Sequence, residues 1–542
     1  MPYEINGTKY YQNADKAAEA GSNKYRAADR TLTIPYTGSA GDQLAIVVKK
    51  SGGDVYSSHT YTIPHIYEAN AELAETNAPT RIIVVNKGIL TITGDVTVNA
   101  IYVAPGAELV VSSNKTLTVD SIMLRTTPWK AAILDNQGTI SLTTGGKAYY
   151  TRIIADNSKY YQFALPLSCD VKNVRLSNYS KCTYNTSWML KSYEEALRAD
   201  NGPVNNESVS NWEFLEPDGD GHATIVASRG YEMFSNTPYY REYYFPVNLG
   251  DVSKDKKVAV SKSENKAAGP TNAGWNALCS PLLSKYTQSP TDASERIKIS
   301  KLTEEGVYSQ SMPSEILPAV PFYYQAPHSG YLYFTGSEMT IANSAPRRVW
   351  NTSIKTQWLQ MTIQNTLGEQ LDETNLFVHP EKFVPEYESG YDVAKQSLEG
   401  GKALLYTELP CGQLAFAAVP DSLAETRIPL TVYAATEGEY IFSMKDNDFL
   451  GRLQYVFLHD TQTGLVVDLL ERDCAVNLAQ GTNAGRFYIQ CVFAAEALEI
   501  STGVNHLNTE NDKAQKIIYN NKVYIIYQGR VYDMTGRQCE LR

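Results

Sequence analysis

The chain has 542 residues, 43% hydrophobic and 20% charged, with a net charge of −11. This balance excludes a mostly disordered chain, and the length predicts three or four domains. An acidic surface of this size repels phosphate backbones, so no nucleic acid partner is expected, and no apolar run approaches the roughly 20 residues of a membrane-spanning helix, so no transmembrane segment is expected.

The opening Met1-Pro-Tyr-Glu-Ile-Asn-Gly-Thr8 has neither the basic nor the apolar stretch of a secretory leader. The expectation is a cytosolic protein, or an exported one without its leader. Residues 1–65 read as a small β-sandwich, with strands at Thr31-Leu-Thr-Ile-Pro35 and Leu44-Ala-Ile-Val-Val48 around the loop Thr37-Gly-Ser-Ala-Gly-Asp42. From 80 to 155 short β-branched runs alternate with Asn-Lys-Gly, Thr-Gly-Asp, Pro-Gly-Ala and Asn-Gln-Gly turns. Val98-Asn-Ala-Ile101 and Val119-Asp-Ser-Ile122 are in phase. A repeat near 20 residues made of strands and turns predicts a β-solenoid-like segment, with a meander of hairpins as the competing reading.

Residues 156–340 read as a duplicated β-sandwich module. Tyr160-Tyr-Gln-Phe-Ala-Leu-Pro-Leu167 opens one half and Gly274-Trp-Asn-Ala-Leu-Cys-Ser-Pro-Leu282 the other, and each is followed by a pair of aromatic strands. Lys191-Ser-Tyr-Glu-Glu-Ala-Leu-Arg-Ala-Asp200 is the best helix candidate. Residues 345–493 form a further β-sandwich, with strands such as Thr356–Ile363, Ile428–Tyr433 and Arg452–Leu458 separated by Glu437-Gly-Glu and Thr463-Gly turns. A polar linker covers 494–515, expected to be exposed. The alternating residues 516–542 form a C-terminal tail. The predicted fold class is therefore all-β: tandem β-sandwich domains with a short β-solenoid-like segment and a C-terminal β-hairpin tail.

Chemistry is sparse. The seven cysteines (Cys169, Cys182, Cys279, Cys411, Cys474, Cys491, Cys539) contain no Cys-x-x-Cys, and buried free thiols are expected over the alternatives Cys169–Cys182 and Cys474–Cys491. No nucleophile elbow, His-Glu-x-x-His or Walker loop occurs, and no two of the seven histidines share a metal-ligand spacing. No catalytic residue, cofactor or enzymatic activity is expected. Asp218 and Asp220, in Glu216-Pro-Asp-Gly-Asp-Gly-His222, resemble the start of a calcium loop, but a hairpin turn is the preferred reading and a metal site the weaker one. In Thr237-Pro-Tyr-Tyr-Arg-Glu-Tyr-Tyr-Phe245, period two puts Tyr240, Glu242 and Tyr244 on the face opposite Tyr243 and Phe245. If Phe245 faces the core, two tyrosines and a carboxylate form an outer face suited to sugar or peptide recognition, but a strand covered on both sides by the preceding 180–210 insertion is the preferred reading and a recognition face the weaker one.

Several segments resemble secreted and surface proteins of Bacteroidota that carry a type IX secretion-type C-terminal sorting tail. Val531-Tyr-Asp-Met-Thr-Gly-Arg537 is similar to the core of that tail, and Lys522-Val-Tyr-Ile-Ile-Tyr-Gln-Gly529 to the strand pair before it. Upstream, Gly390-Tyr-Asp-Val-Ala-Lys395, Leu405-Tyr-Thr407, Gly438-Glu-Tyr440, Val456-Phe-Leu-His-Asp460, Asp468-Leu469 and Gly485-Arg-Phe487 follow the order seen in the sandwich of such proteins, and Gly274-Trp-Asn276 resembles the opening strand of their repeated modules. Cys279-Ser-Pro departs from the more usual Gly-Asn-Pro turn. The resemblance implies a secreted or outer-membrane-attached protein whose tail engages secretion machinery. With the chemistry above, the expectation is a non-catalytic adhesin or structural spacer whose partner is a glycan or a host or bacterial surface protein. The alternative is a non-catalytic accessory region of a secreted glycoside hydrolase or protease.

Overall fold

The computed structural model describes residues 3–5, 8–10, 39–40, 43–49, 55–74, 76–154, 158–176, 182–202, 210–236, 241–252, 256–264, 266, 271–288, 296–304, 308–334, 356–379, 383–384, 386–396, 402–445, 453–493, 515–519, 522–527 and 530–533. They are almost all strand, and the α-helices among them are the short Glu195–Asn201 and Asp421–Ala424. The all-β, multidomain expectation holds. At the N-terminus the described strands form one antiparallel sheet in the order Thr8–Tyr10, Tyr3–Ile5, Gln43–Lys49, Val55–Thr62. The expected strand at 31–35 lies outside the described residues.

A parallel stack follows. The strands His65–Tyr67, Thr76–Val85, Val96–Val103, Thr116–Thr126 and Thr139–Ile154 lie side by side in parallel. Between them the chain drops to a second parallel sheet of Ala71–Leu73, Ile89–Ile92, Glu108–Val111 and Ile133–Asn136. Each circuit adds one strand to both sheets, which is a solenoid; a hairpin meander would pair antiparallel. Val98 faces Val119 and Ile101 faces Ile122 across the ladder, so the repeat seen in the sequence is the stacking register itself. Ile83, Ile101 and Ile122, then Val85, Val103 and Leu124, stack inward with no exposed surface.

The next two sheets share one topology. The first runs Tyr161–Ala164, Gly230–Ser235, Trp188–Tyr193, Trp212–Phe214; the second runs Trp275–Leu278, Phe322–Gln325, Ile299–Leu302, Tyr308–Ser311. In chain order both read first, fourth, second, third. Each also has a two-residue ladder, Cys169–Asp170 with Thr224–Ile225 and Tyr286–Thr287 with Glu315–Ile316. Each is closed by a strand that returns to the one before it: Arg241–Val247 onto Thr139–Ile154, and Gly330–Tyr333 onto Lys257–Val260. The helix expected over 191–200 starts only at Glu195. Residues up to Tyr193 stay extended because Trp188 and Leu190 alternate inward and pair with the Gly230–Ser235 strand.

One eleven-stranded sheet makes up the C-terminal sandwich. It curls around a single core, so that Phe442 and Phe487, on strands far apart in the sheet order, meet at 5.1 Å between ring centres. The tail strands Gln515–Tyr519, Lys522–Tyr527 and Arg530–Asp533 form an antiparallel sheet, one strand more than a hairpin, and Val531 packs on Phe457 and Val492 of the sandwich. The linker residues 494–514 lie outside the described residues.

Cores run across the junctions. The solenoid core continues into Leu283, Ala319 and Val320 of the second module, and Leu134 N–H donates to Leu283 C=O at 2.9 Å. An aromatic cluster joins both modules to the sandwich: Tyr193 stands edge-on to Trp212 and Tyr323 at 5.1 and 5.2 Å, and Trp275, Trp358, Phe377 and Phe416 complete it. The described cysteines carry free thiols: Cys169, Cys279, Cys474 and Cys491 are buried, and Cys182 and Cys411 half-buried. Neither of the alternative bridges forms.

Candidate functional site

The strand Arg241–Val247 places its residues by simple alternation. Tyr243 and Phe245 point into the solenoid core and are fully buried. Glu242 and Tyr244 point the other way, onto the outer face of the solenoid sheet, and Tyr240 lies outside the described residues. This outer face is occupied. Arg125 Nε donates to Glu242 Oε1 at 3.1 Å, Thr151 Oγ1 donates to the same oxygen at 2.8 Å, and the Tyr244 hydroxyl donates to Glu242 Oε2 at 3.2 Å. Glu242 is only 9% exposed. Tyr149 stands edge-on to Tyr244 at 5.7 Å, and the Arg125 guanidinium lies over the Tyr102 ring at 5.6 Å. Burial, reinforced by the Glu242 charge, pushes the Tyr244 phenol well above its ordinary value. Glu242 and Tyr244 are therefore brought together as expected, but as part of a satisfied polar cluster rather than an open shelf.

Asp218 and Asp220 lie in a tight exposed turn. Asp218 Oδ1 accepts the backbone N–H groups of Asp220 and His222 at 3.0 and 2.9 Å, and Lys172 Nζ donates to the Asp220 carbonyl at 2.8 Å. The His222 ring bonds the Asp170 carboxylate. This is a side-chain-stabilised turn with an ammonium against its carbonyl. Among the described residues no three His, Cys, Asp or Glu side chains converge in an arrangement able to hold a metal.

A concave site lies elsewhere, where the solenoid meets the second module. The solenoid turn Thr127–Lys130 is held by Thr127: its N–H donates to Lys130 C=O at 2.7 Å, and its hydroxyl oxygen accepts Trp129 and Lys130 N–H at 3.2 and 2.9 Å. That turn projects Trp129 and Lys130 over the strands Ile299–Leu302 and Tyr308–Ser311. The groove between has a volume of about 430 Å³, within the usual range of small-molecule sites. Its walls include Trp129, Leu317 and Pro313 on the apolar side and Lys130, Lys301, Thr303, Ser309, Ser311, Glu304 and Glu315 on the polar side. Lys301 Nζ reaches the Trp129 carbonyl at 3.5 Å. Burial lowers the Lys301 ammonium pKa; Glu304 opposes that shift and Lys130 adds to it. The indole Nε1 of Trp129 and the hydroxyl of Thr303 are buried without a hydrogen-bond partner.

None of these groove residues was singled out in the sequence. Trp129 and Lys301 are 172 positions apart, and only the stacking of solenoid on module joins them. Burial pushes both Glu232 and Asp392 up to about 7, and neither lines the groove. Comparison of the chain with protein-family models, with curated proteins and with solved structures returned no match.

Proposed function

We propose that the chain is a non-catalytic bacterial protein, secreted or displayed at the cell surface, that acts in adhesion by holding a ligand-binding surface on a stiff stack of β-modules. The observation that carries this reading is the continuity of the cores. The solenoid shares apolar core with the second module, and both modules share an aromatic cluster with the sandwich. Modules joined by flexible linkers would instead meet through small polar contacts. Junctions sealed by shared core, as these two are, suit presenting a site at a fixed distance from its anchor.

The groove at the solenoid–module junction supports binding rather than turnover. Its carboxylates are on the rim, Glu315 beside Lys285 at 3.9 Å and Glu304 exposed. The partner is a glycan or a surface protein, and the tail strands engage secretion machinery of the type IX class that 522–537 resembles. The test is protease shaving of intact cells expressing the full chain, followed by adhesion of those cells to glycan-coated surfaces. Loss of the protein on shaving, together with loss of adhesion, is expected. Protection of the chain from external protease contradicts the reading.

A further inference from the structure

The groove between the solenoid turn Thr127–Lys130 and the second module brings one indole ring and two ammonium groups to a shared wall. The indole N–H of Trp129 and the Thr303 hydroxyl are covered, so the groove's cationic donors are the Lys130 and Lys301 ammonium groups. Among the described residues neither lysine has an ion-pair partner. Ser309 and Ser311 also line the groove, and Glu304 and Glu315, both exposed, add acceptors. No other described ring or cation packs on the Trp129 indole, which is half-buried with its polar edge covered.

Each part has a chemical counterpart. Two ammonium groups without an ion-pair partner fit a carboxylate. An aromatic face beside hydroxyls fits a sugar ring, whose apolar face stacks while its hydroxyls exchange hydrogen bonds. Two rim carboxylates on a chain of net charge −11 work against a ligand with many negative charges, so a single charge is favoured.

We propose that this groove binds one carboxylate-bearing sugar residue, with its ring against Trp129 and its carboxylate between Lys130 and Lys301. The proposal deepens the adhesive reading above and rests on it for its biological setting. Its chemistry stands on the groove alone, so the two fail separately. A chain that is not surface-exposed overturns the first, and a groove indifferent to acid sugars overturns the second.

The experiment titrates the full chain with methyl glucuronide and methyl galacturonide and with their neutral counterparts, methyl glucoside and methyl galactoside. Acetyl-dialanine serves as a carboxylate without a sugar. Binding is read by saturation-transfer NMR and calorimetry. At least one uronide is expected to bind ten times or more tighter than its neutral counterpart. Lys301→Gln should abolish that preference, and Trp129→Ala should weaken both members of the pair at least tenfold, with unchanged circular dichroism and thermal midpoint in each variant. Equal affinity for acid and neutral sugars, no binding of either uronide, or acetyl-dialanine bound as tightly as the uronides would each overturn the proposal. So would wild-type affinity in the Lys301→Gln and Trp129→Ala chains. If Trp129→Ala unfolds, Trp129→Leu keeps an apolar side chain there and removes the ring, and undiminished uronide binding by that variant overturns the assignment.

Discussion

Lys395 and Asp372 meet at 2.6 Å inside the C-terminal sandwich, with side chains 1% and 3% exposed. Lys395 Nζ also donates to the Glu373 carbonyl at 3.2 Å, and Asp372 Oδ2 accepts Leu405 N–H at 2.7 Å. Burial pushes the Asp372 carboxyl up, and Lys395 pulls it back toward ionisation. Breaking such a pair from one side strands a buried charge, at a cost of about 3–5 kcal/mol. Lys395→Met is expected to lower the urea unfolding free energy by that amount, and the double variant Lys395→Met, Asp372→Leu to recover more than half of it. A single variant as stable as the parent would mean that Asp372 is neutral in the fold.

Asp392 gives a pH dependence of definite sign. Its oxygens accept Ala418 N–H and Glu388 N–H, each at 2.6 Å. Burial nevertheless pushes the carboxyl from 3.8 up to about 7. Between those values the folded state holds more protons than the unfolded state, so this group makes stability fall as pH rises from about 4 to 7 and adds no slope above that. Glu232, also held near 7 by burial, acts in the same direction. Urea midpoints at pH 5, 6, 7 and 8 should fall and then level, and Asp392→Asn should flatten the acid side. A rise from pH 5 to 7 that Asp392→Asn leaves unchanged would contradict the assignment.

Gly274 opens the second module with φ +85, and a Cβ there would stand 2.3 Å from the Ala326 carbonyl oxygen. Its N–H donates to Glu195 Oε1 at 2.6 Å, tying the module opening to the short helix of the first module. Gly274→Ala combines a left-handed backbone with that clash and is expected to cost about 2 kcal/mol or more. Gly464→Ala, at φ +75 with open space around it, carries the backbone penalty alone and should cost less. Comparison of the two denaturation curves checks the difference.

Glu242 is expected to register in stability before it registers in binding. Glu242→Ala removes the acceptor shared by Arg125, Thr151 and Tyr244. Stranding those donors should cost about 1–3 kcal/mol. Tyr244→Phe, which deletes one hydroxyl, should cost less. Glu242→Ala with parental stability but altered ligand binding would reinstate the outer face as a recognition surface.

What could be read from the sequence follows the range of the interactions. Parallel stacking puts like residues in register on successive coils, so Val98 and Val119 announce the solenoid from a few letters. Period two also sorts Tyr243 and Phe245 correctly from Glu242 and Tyr244. It cannot report that Arg125, 117 positions earlier, bonds Glu242, so it could not identify what covers that outer face. Short strings such as Gly390–Lys395 and Val456–Asp460 do not disclose their structural roles. Asp392 bonds Ala418, Lys395 pairs with Asp372, and Asp460 holds Arg486 at 2.9 and 2.7 Å. In each case the partner comes from another strand. The Trp129 groove has no local signal at all, because its walls meet only when solenoid and module pack.

Binding without turnover is tested most directly by incubating the full chain with a library of neutral and acidic surface glycans and recording both retention and mass of each member before and after. Retention of a subset with every mass unchanged is the result predicted. Cleavage of any retained glycan by the purified chain would contradict it, and so would retention of none.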